Sequence, residues 1–284
     1  MTTNNQNTST NLSSPFRGTG GIPNLFTLLN LIFGCIAIVL ILQTGETIVR
    51  IDETGASQVY MPEKMALGAL FIFFAAIIDF LDGFVARLLK ASSEMGSQLD
   101  SLSDVVSFGV APGMILYQLL RIGYAQGDNG LDVSMIALLP AFIFSSAAAW
   151  RLAKFNISTN QTNSFLGVPS PAAGLVVASF PLIIWYQYLN IQAYFINVWI
   201  LYAVIILLSY LMVCNRTFLA IKFKDFSIKN NVATYTLCLI SILLLVFVRW
   251  LAVPLIFIVY IVMSLVAKRQ RIVPVQKSAG DITV

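Results

Sequence analysis

The stretch IIDFLDGFVARLLKASSEMGSQLDSLSDVVSFGVAPG, residues 77–113, carries four aspartates in and beside apolar sequence. Asp79 and Asp82 are three residues apart, and Asp100 and Asp104 are four apart. In helices, each pair therefore shares one face. An aspartate at mid-membrane costs about 2.5–3.5 kcal/mol, so four uncompensated ones would cost roughly 10 kcal/mol. The simplest neutraliser is one divalent cation or two. The connection from Leu88 to Gly96 is short and polar, with Ser92, Ser93 and Glu94. It predicts antiparallel neighbouring helices whose four carboxylates converge near one end of the pair. Gly83 and Gly96 leave room there for a close backbone approach or a ligand.

Working outward, 58% of the 284 residues are hydrophobic and 11% are charged. Soluble domains hold about 45–50% apolar residues. The apolar residues fall in long blocks, predicting an all-α, polytopic membrane bundle of about eight transmembrane helices. The predicted spans are 23–42, 65–89, 97–120, 133–154, 171–190, 194–213, 231–248 and 250–267, with Arg249 and Pro254 marking the break between the last two. Residues 1–21 are a polar Asn/Thr/Ser/Gly tail expected to be disordered. They lack the apolar core of a signal peptide, so no cleavage is expected. Residues 22–267 form a single membrane domain, expected to be the catalytic one, and 268–284 a flexible tail. No internal repeat is evident.

Charge supports this topology. With the N-terminus in the cytoplasm, 13 basic residues fall on that side (Arg17, Arg87, Lys90, Arg151, Lys154, Arg216, Lys222, Lys224, Lys229, Lys268, Arg269, Arg271, Lys277). Four fall on the other: Arg50, Lys64, Arg121 and Arg249. This obeys the positive-inside rule and sets both termini and the aspartate site on the cytoplasmic side. The net charge of +4 then reflects basic loops facing anionic lipid, Lys222–Lys229 among them, and not a nucleic-acid partner. Cys35, Cys214 and Cys238 lie in or beside apolar spans without metal-type spacing and read as packing residues. The absence of histidine leaves carboxylate, lysine or tyrosine as candidate bases.

Three readings of the aspartates fit. Oxygen-only donors at this density suit hard cations such as Mg²⁺, Mn²⁺ or Ca²⁺, which share their coordination with substrate phosphates. A metal pair there would serve phosphoryl chemistry, with Arg87 as a phosphate clamp. Alternatively the aspartates form a proton or sodium relay, as in transporters, or one of them pairs with Arg87 for structure.

The pattern D-x-x-D-G-x-x-A-R, eight residues, G-x-x-x-D-x-x-x-D runs without a gap from Asp79 to Asp104. It resembles the signature of the CDP-alcohol phosphatidyltransferases, integral membrane enzymes that build phospholipid head groups. IPNLFTLLNLIFG at Ile22–Gly34, DSLSDVVSFGVAPG at Asp100–Gly113, RLAKFN at Arg151–Asn156 and FLGVPSPAAG at Phe165–Gly174 resemble the serine-using branch. The chain departs from residues often found in that branch at Ser103, where alanine is often found, and Val168, where leucine is; neither touches the signature.

The resemblance implies that a serine hydroxyl attacks CDP-diacylglycerol, releasing CMP and forming phosphatidylserine. By the same resemblance Asp79, Asp82, Asp100 and Asp104 hold the metal, Mg²⁺ or Mn²⁺ and two ions, with Asp104 also the general base. Gly83, Ala86 and Arg87 line the CDP site, and the enzyme is a homodimer. Arg151 reads either as a ligand for the lipid phosphate or serine carboxylate or as a positive-inside charge. Ser170, between Pro169 and Pro171, contacts serine or caps a helix, and Asn24 caps the first helix or touches the nucleotide. The competing functions are the same chemistry with glycerol 3-phosphate or inositol, and, from another class, a cation-coupled transporter. A phosphorylated acceptor would need more cations than Arg151 and Lys154 offer, since the P-S-P loop holds no lysine.

Overall fold

The computed structural model describes residues 21–43, 49–51, 57–59, 62–89, 93–126, 133–157, 165–187, 191–218 and 232–266. The expected tails, Gly21 excepted, lie outside these residues, as does the Lys222–Lys229 cluster. The described chain is helical. In order it forms α1 (Gly21–Leu42), α2 (Glu63–Leu89), α3 (Glu94–Asp104), a π-helical turn (Val105–Val110) and α4 (Ala111–Ala125). It continues as α5 (Met135–Leu138), α6 (Ala141–Ile157), α7 (Ser170–Tyr186), α8 (Gln192–Ile196), α9 (Val198–Val213), α10 (Val232–Val248) and α11 (Ala252–Val266). Two short antiparallel pairings, β1 (Val49–Ile51) with β2 (Ser57–Val59) and β3 (Phe165–Leu166) with β4 (Thr217–Phe218), lie in connections and leave the class unchanged.

Helix occupies each of the eight expected positions. Four stretches are long and apolar enough to cross a membrane: Pro23–Leu42, Glu63–Leu89, Glu94–Ala125 and Thr234–Leu265. Ser170–Tyr186 and Val198–Val213 are apolar but shorter. The interruptions have local causes. Leu139–Pro140 separates α5 from α6, where proline withholds an N–H. Asn197 ends α8 and starts α9, its Oδ1 accepting from the N–H groups of Trp199 and Ile200 at 3.0 and 3.2 Å. Arg249 adopts φ +49°, a left-handed conformation that breaks the helix between α10 and α11. Trp250 then packs on Phe73 and Tyr186, while Tyr260 stacks on Phe218 beside the start of α7. α11 therefore runs antiparallel to α7.

The α3–π–α4 rod is the axis of the bundle; Phe108, Ile115, Leu116, Leu119 and Leu120 on it are fully buried. Its π turn has a sequence cause. Pro112 lacks an N–H, and its ring would clash with the Phe108 carbonyl four residues back. The backbone widens instead, and the Ala111 N–H bonds to Val106 O, five residues back. The displaced carbonyls are received by small neighbours: Ser145 Oγ donates to Gly109 O at 2.9 Å, and Gly174 on α7 lies flat against Phe108 O.

One expectation needs correcting. α2 and α3 are not close neighbours along their lengths; α1 lies against both. Aromatic packing of Phe33 with Phe71 and Phe74 joins α1 to α2, and hydroxyls on the axial rod join it to α1. A polar helix with little apolar surface, as α3 is, has no driving force to zip against α2. The backbones of α2 and α3 stay apart, and carboxylate side chains reach across between them.

Candidate active site

The aspartates lie on these two helices. α2 carries Asp79, half-buried, and Asp82, buried; α3 carries Asp100, half-buried, and Asp104, buried. α3 starts cleanly because Ser93 Oγ accepts the Gly96 N–H at 3.0 Å. Gly96 also lets α1 approach, since a Cβ there would lie 3.0 Å from Asn24 Oδ1. Oxygens of Asp79, Asp100 and Asp104 all lie within 4.8 Å of one another. Asp79 and Asp100 are near enough to hydrogen-bond. Three carboxylates this close repel strongly unless protons or cations are shared among them.

Asp82 stands slightly apart. It is within electrostatic range of Asp79 and Asp100, but its Oδ2 accepts a hydrogen bond from Thr27 Oγ1 on α1. Asp104 Oδ1 accepts from Asn30 Nδ2, also on α1, at 3.4 Å. Among the described residues these donors are neutral, so they orient the carboxylates without cancelling their charge. The donor set is all oxygen, matching Mg²⁺, Mn²⁺ or Ca²⁺ and not a thiolate- or imidazole-loving metal.

α1 is held in register by the axial rod. Ser103 Oγ donates to Thr27 O at 3.0 Å, and Ser107 Oγ donates to Asn30 O at 3.1 Å. Gly34 permits the approach, because a Cβ there would lie 3.0 Å from Ser107 Cα. Ser103, where alanine is common in the branch the sequence resembles, is thus a tether.

Arg151 and Ser170, far apart in sequence, come together. Arg151 Nη1 donates to Ser170 Oγ at 3.0 Å, and both side chains are buried. Arg151 lies within electrostatic range of Asp104, and among the described residues its Nε has no hydrogen-bond partner. Ser170 opens α7 between two prolines but makes no side-chain cap; the residue before the helix is Pro169. The capping alternative for Ser170 is thereby removed. Gly83, Ala86 and Arg87 continue α2 past the aspartates; Gly83 and Arg87 are exposed and Ala86 is half-buried. A Cβ on Gly83 would meet nothing within 4 Å, so this face is open. Asn24 is buried at the start of α1 beside Gly96.

Sequence reasoning missed Thr27 and Asn30. The available signal was their spacing: Asn24, Thr27 and Asn30 recur every three residues in an otherwise apolar helix, with Gly34 one turn further.

Comparison with known proteins bears on this arrangement. A family model described as CDP-alcohol phosphatidyltransferase matches residues 21–207. The CDP-diacylglycerol–serine O-phosphatidyltransferase of Helicobacter pylori is 42% identical over 179 residues, covering 61% of this chain and 67% of that protein. The Bacillus subtilis protein of the same name is 42% identical over 113 residues, covering 39% and 59%. An archaetidylserine synthase from Methanothermobacter thermautotrophicus is 34% identical over 118 residues, covering 41% and 46%.

Proposed function

The chain belongs to the CDP-alcohol phosphatidyltransferase family, and from that premise we propose that it transfers the phosphatidyl group of CDP-diacylglycerol to L-serine. The observation that carries the reading is the convergence of the signature carboxylates of Asp79, Asp100 and Asp104 within 4.8 Å. Relatives named for the serine reaction support the choice of acceptor.

In this reading the serine hydroxyl oxygen forms a bond to the β-phosphorus of CDP-diacylglycerol. The bond from that phosphorus to the oxygen bridging to CMP breaks, and CMP leaves with that oxygen. Asp104 accepts the hydroxyl proton. It is buried, lies within 4.8 Å of the Asp79 and Asp100 carboxylates and is held by Asn30, so one of its oxygens has a fixed direction. Asp79, Asp82, Asp100 and Asp104 would hold two Mg²⁺ or Mn²⁺ ions. Bound there, the ions offset the carboxylate repulsion and stabilise charge on the phosphoryl and leaving oxygens. A carboxylate is a weak base for an alcohol, so this electrostatic support is what makes it sufficient.

Gly83, Ala86 and Arg87 form the nucleotide side of the site: small residues admit the diphosphate, and Arg87 supplies a free guanidinium fork. Arg151 receives the serine carboxylate with its unpartnered Nε edge, steered by Ser170. A lipid and a water-soluble acceptor meet at the bundle end that carries the aspartates. We assign that end to the cytoplasm on the 13-to-4 distribution of basic residues, with eight crossings and both termini on the same side. Two copies of the chain form the working unit, and lipid, not nucleic acid, covers its outer surface.

The test is to supply ¹³C-serine and CDP-diacylglycerol to purified protein with Mn²⁺ and to analyse the lipids by mass spectrometry. Labelled phosphatidylserine with equimolar CMP is expected. Folded protein that yields no labelled lipid would overturn the assignment.

A further inference from the structure

We propose that Thr27 and Asn30 on α1 are positioning residues that aim Asp82 and Asp104 at the cation, and that the axial rod sets their register. The proposal rests on the reading of the aspartates as metal ligands. Thr27 is 2% exposed and Asn30 is fully buried, so neither polar side chain is there for solvation. Each reaches a carboxylate: Asn30 Nδ2 donates to Asp104, and the Thr27 hydroxyl, which also lies 3.2 Å from the Pro23 carbonyl one turn back, donates to Asp82. The carboxylates differ: Thr27 serves Asp82 on α2, and Asn30 serves Asp104 on α3. One helix therefore links the elements that supply the ligands.

The register is set twice over. Ser103 and Ser107 lie four residues apart on the rod and donate to the backbone carbonyls of Thr27 and Asn30, the same two residues. Both hydroxyls are themselves fully buried. A slide of α1 along the rod would break both tethers and both carboxylate contacts together. Two neutral donors also suit the task better than a cation would. They fix one oxygen of each carboxylate and leave its negative charge for the metal. The Asn30 amide turns its N–H₂ end to Asp104, and among the described residues its Oδ1 has no hydrogen-bond partner.

The experiment compares Thr27→Val with Thr27→Ser, and Asn30→Leu with wild type, using full-length protein in detergent. Mn²⁺ binding is read from the loss of the free-ion EPR signal, and thermal unfolding is measured alongside. Outer-sphere partners of metal ligands are worth about 10–100-fold in affinity. Thr27→Val is expected to weaken Mn²⁺ binding at least about tenfold with unchanged unfolding, and Thr27→Ser to restore it to within about twofold. Asn30→Leu is expected to weaken binding by a similar factor. Wild-type binding by Thr27→Val or by Asn30→Leu would overturn the role of that residue, and failure of Thr27→Ser to rescue would show the Thr27 effect to be packing. If Thr27→Val does not fold, Thr27→Ala against Thr27→Ser decides in the same way. Mn²⁺ binding by wild type without serine-dependent CMP release would sink the proposed reaction and leave this inference standing. No Mn²⁺ binding by folded wild type would sink this inference, because there would be no ion to aim at.

Discussion

Replacing Gly34 by alanine tests whether the close approach of α1 to the axial rod positions the site. A Cβ on Gly34 would lie 2.5 Å from Ser107 Oγ, 3.0 Å from Ser107 Cα and 3.2 Å from Ser107 Cβ. The hydroxyl can rotate away, but Cα cannot. The π turn is braced from behind by Gly174 against Phe108 O and by Ser145 on Gly109 O, so the rod cannot retreat. α1 must move instead, by about 0.5 Å to reach an ordinary contact near 3.5 Å. The Ser107–Asn30 tether, now 3.1 Å, would then pass the limit of a useful hydrogen bond. Overpacking costs about 1–3 kcal/mol, and the lost bond about 0.5–1.5 kcal/mol. The unfolding temperature in detergent should fall by about 3–18 °C, at roughly 2–4 °C per kcal/mol for a protein of this order of size. CMP release should fall by more than stability explains, because Asn30 is drawn away from Asp104. Gly34→Ala with wild-type unfolding and wild-type turnover would refute the reasoning.

Gly83→Ala is the matched control: its new methyl meets nothing, so unfolding should be unchanged while KM for CDP-diacylglycerol rises, and an unchanged KM would remove Gly83 from the nucleotide side. Asp104→Asn should lower kcat by at least about 10²-fold, the usual span for losing a general base, and near-normal turnover would remove that role. Arg151→Gln should raise KM for serine at least about tenfold, as expected for a lost charge-assisted pair, with KM for CDP-diacylglycerol little changed. The opposite split, with the lipid substrate affected, would assign Arg151 to the lipid phosphate.

The aspartates and the helical segments were legible because they are contradictions on the page: carboxylates where apolar sequence runs for tens of residues. Spacing places the members of each pair on one helix face, but the convergence of Asp79 with Asp100 and Asp104 within 4.8 Å is a tertiary fact it does not encode. The expectation that α2 and α3 zip together failed because it weighed loop length and ignored apolar surface; α3 has too little to pack along α2, and α1 takes that place. Arg151 and Ser170 were legible as candidates, yet their contact is a tertiary fact that no spacing encodes. Thr27 and Asn30 went unread because a hydrophobicity window averages two polar residues away, whereas the fold converts their three-residue spacing into one face. The π turn is the reverse case: Pro112 announces a disturbance, but only packing against Gly174 and Ser145 decides that the helix widens and does not kink.

The central claim is most directly tested by CMP release from the purified protein with CDP-diacylglycerol and Mg²⁺ or Mn²⁺, offering serine, glycerol 3-phosphate and inositol in separate reactions. Release with serine alone, abolished by chelation and restored by adding the ion back, is the predicted result. Release with another alcohol would keep the site and overturn the acceptor. No release with any of them, from folded protein, would contradict the account and return the aspartates to the ion-relay reading.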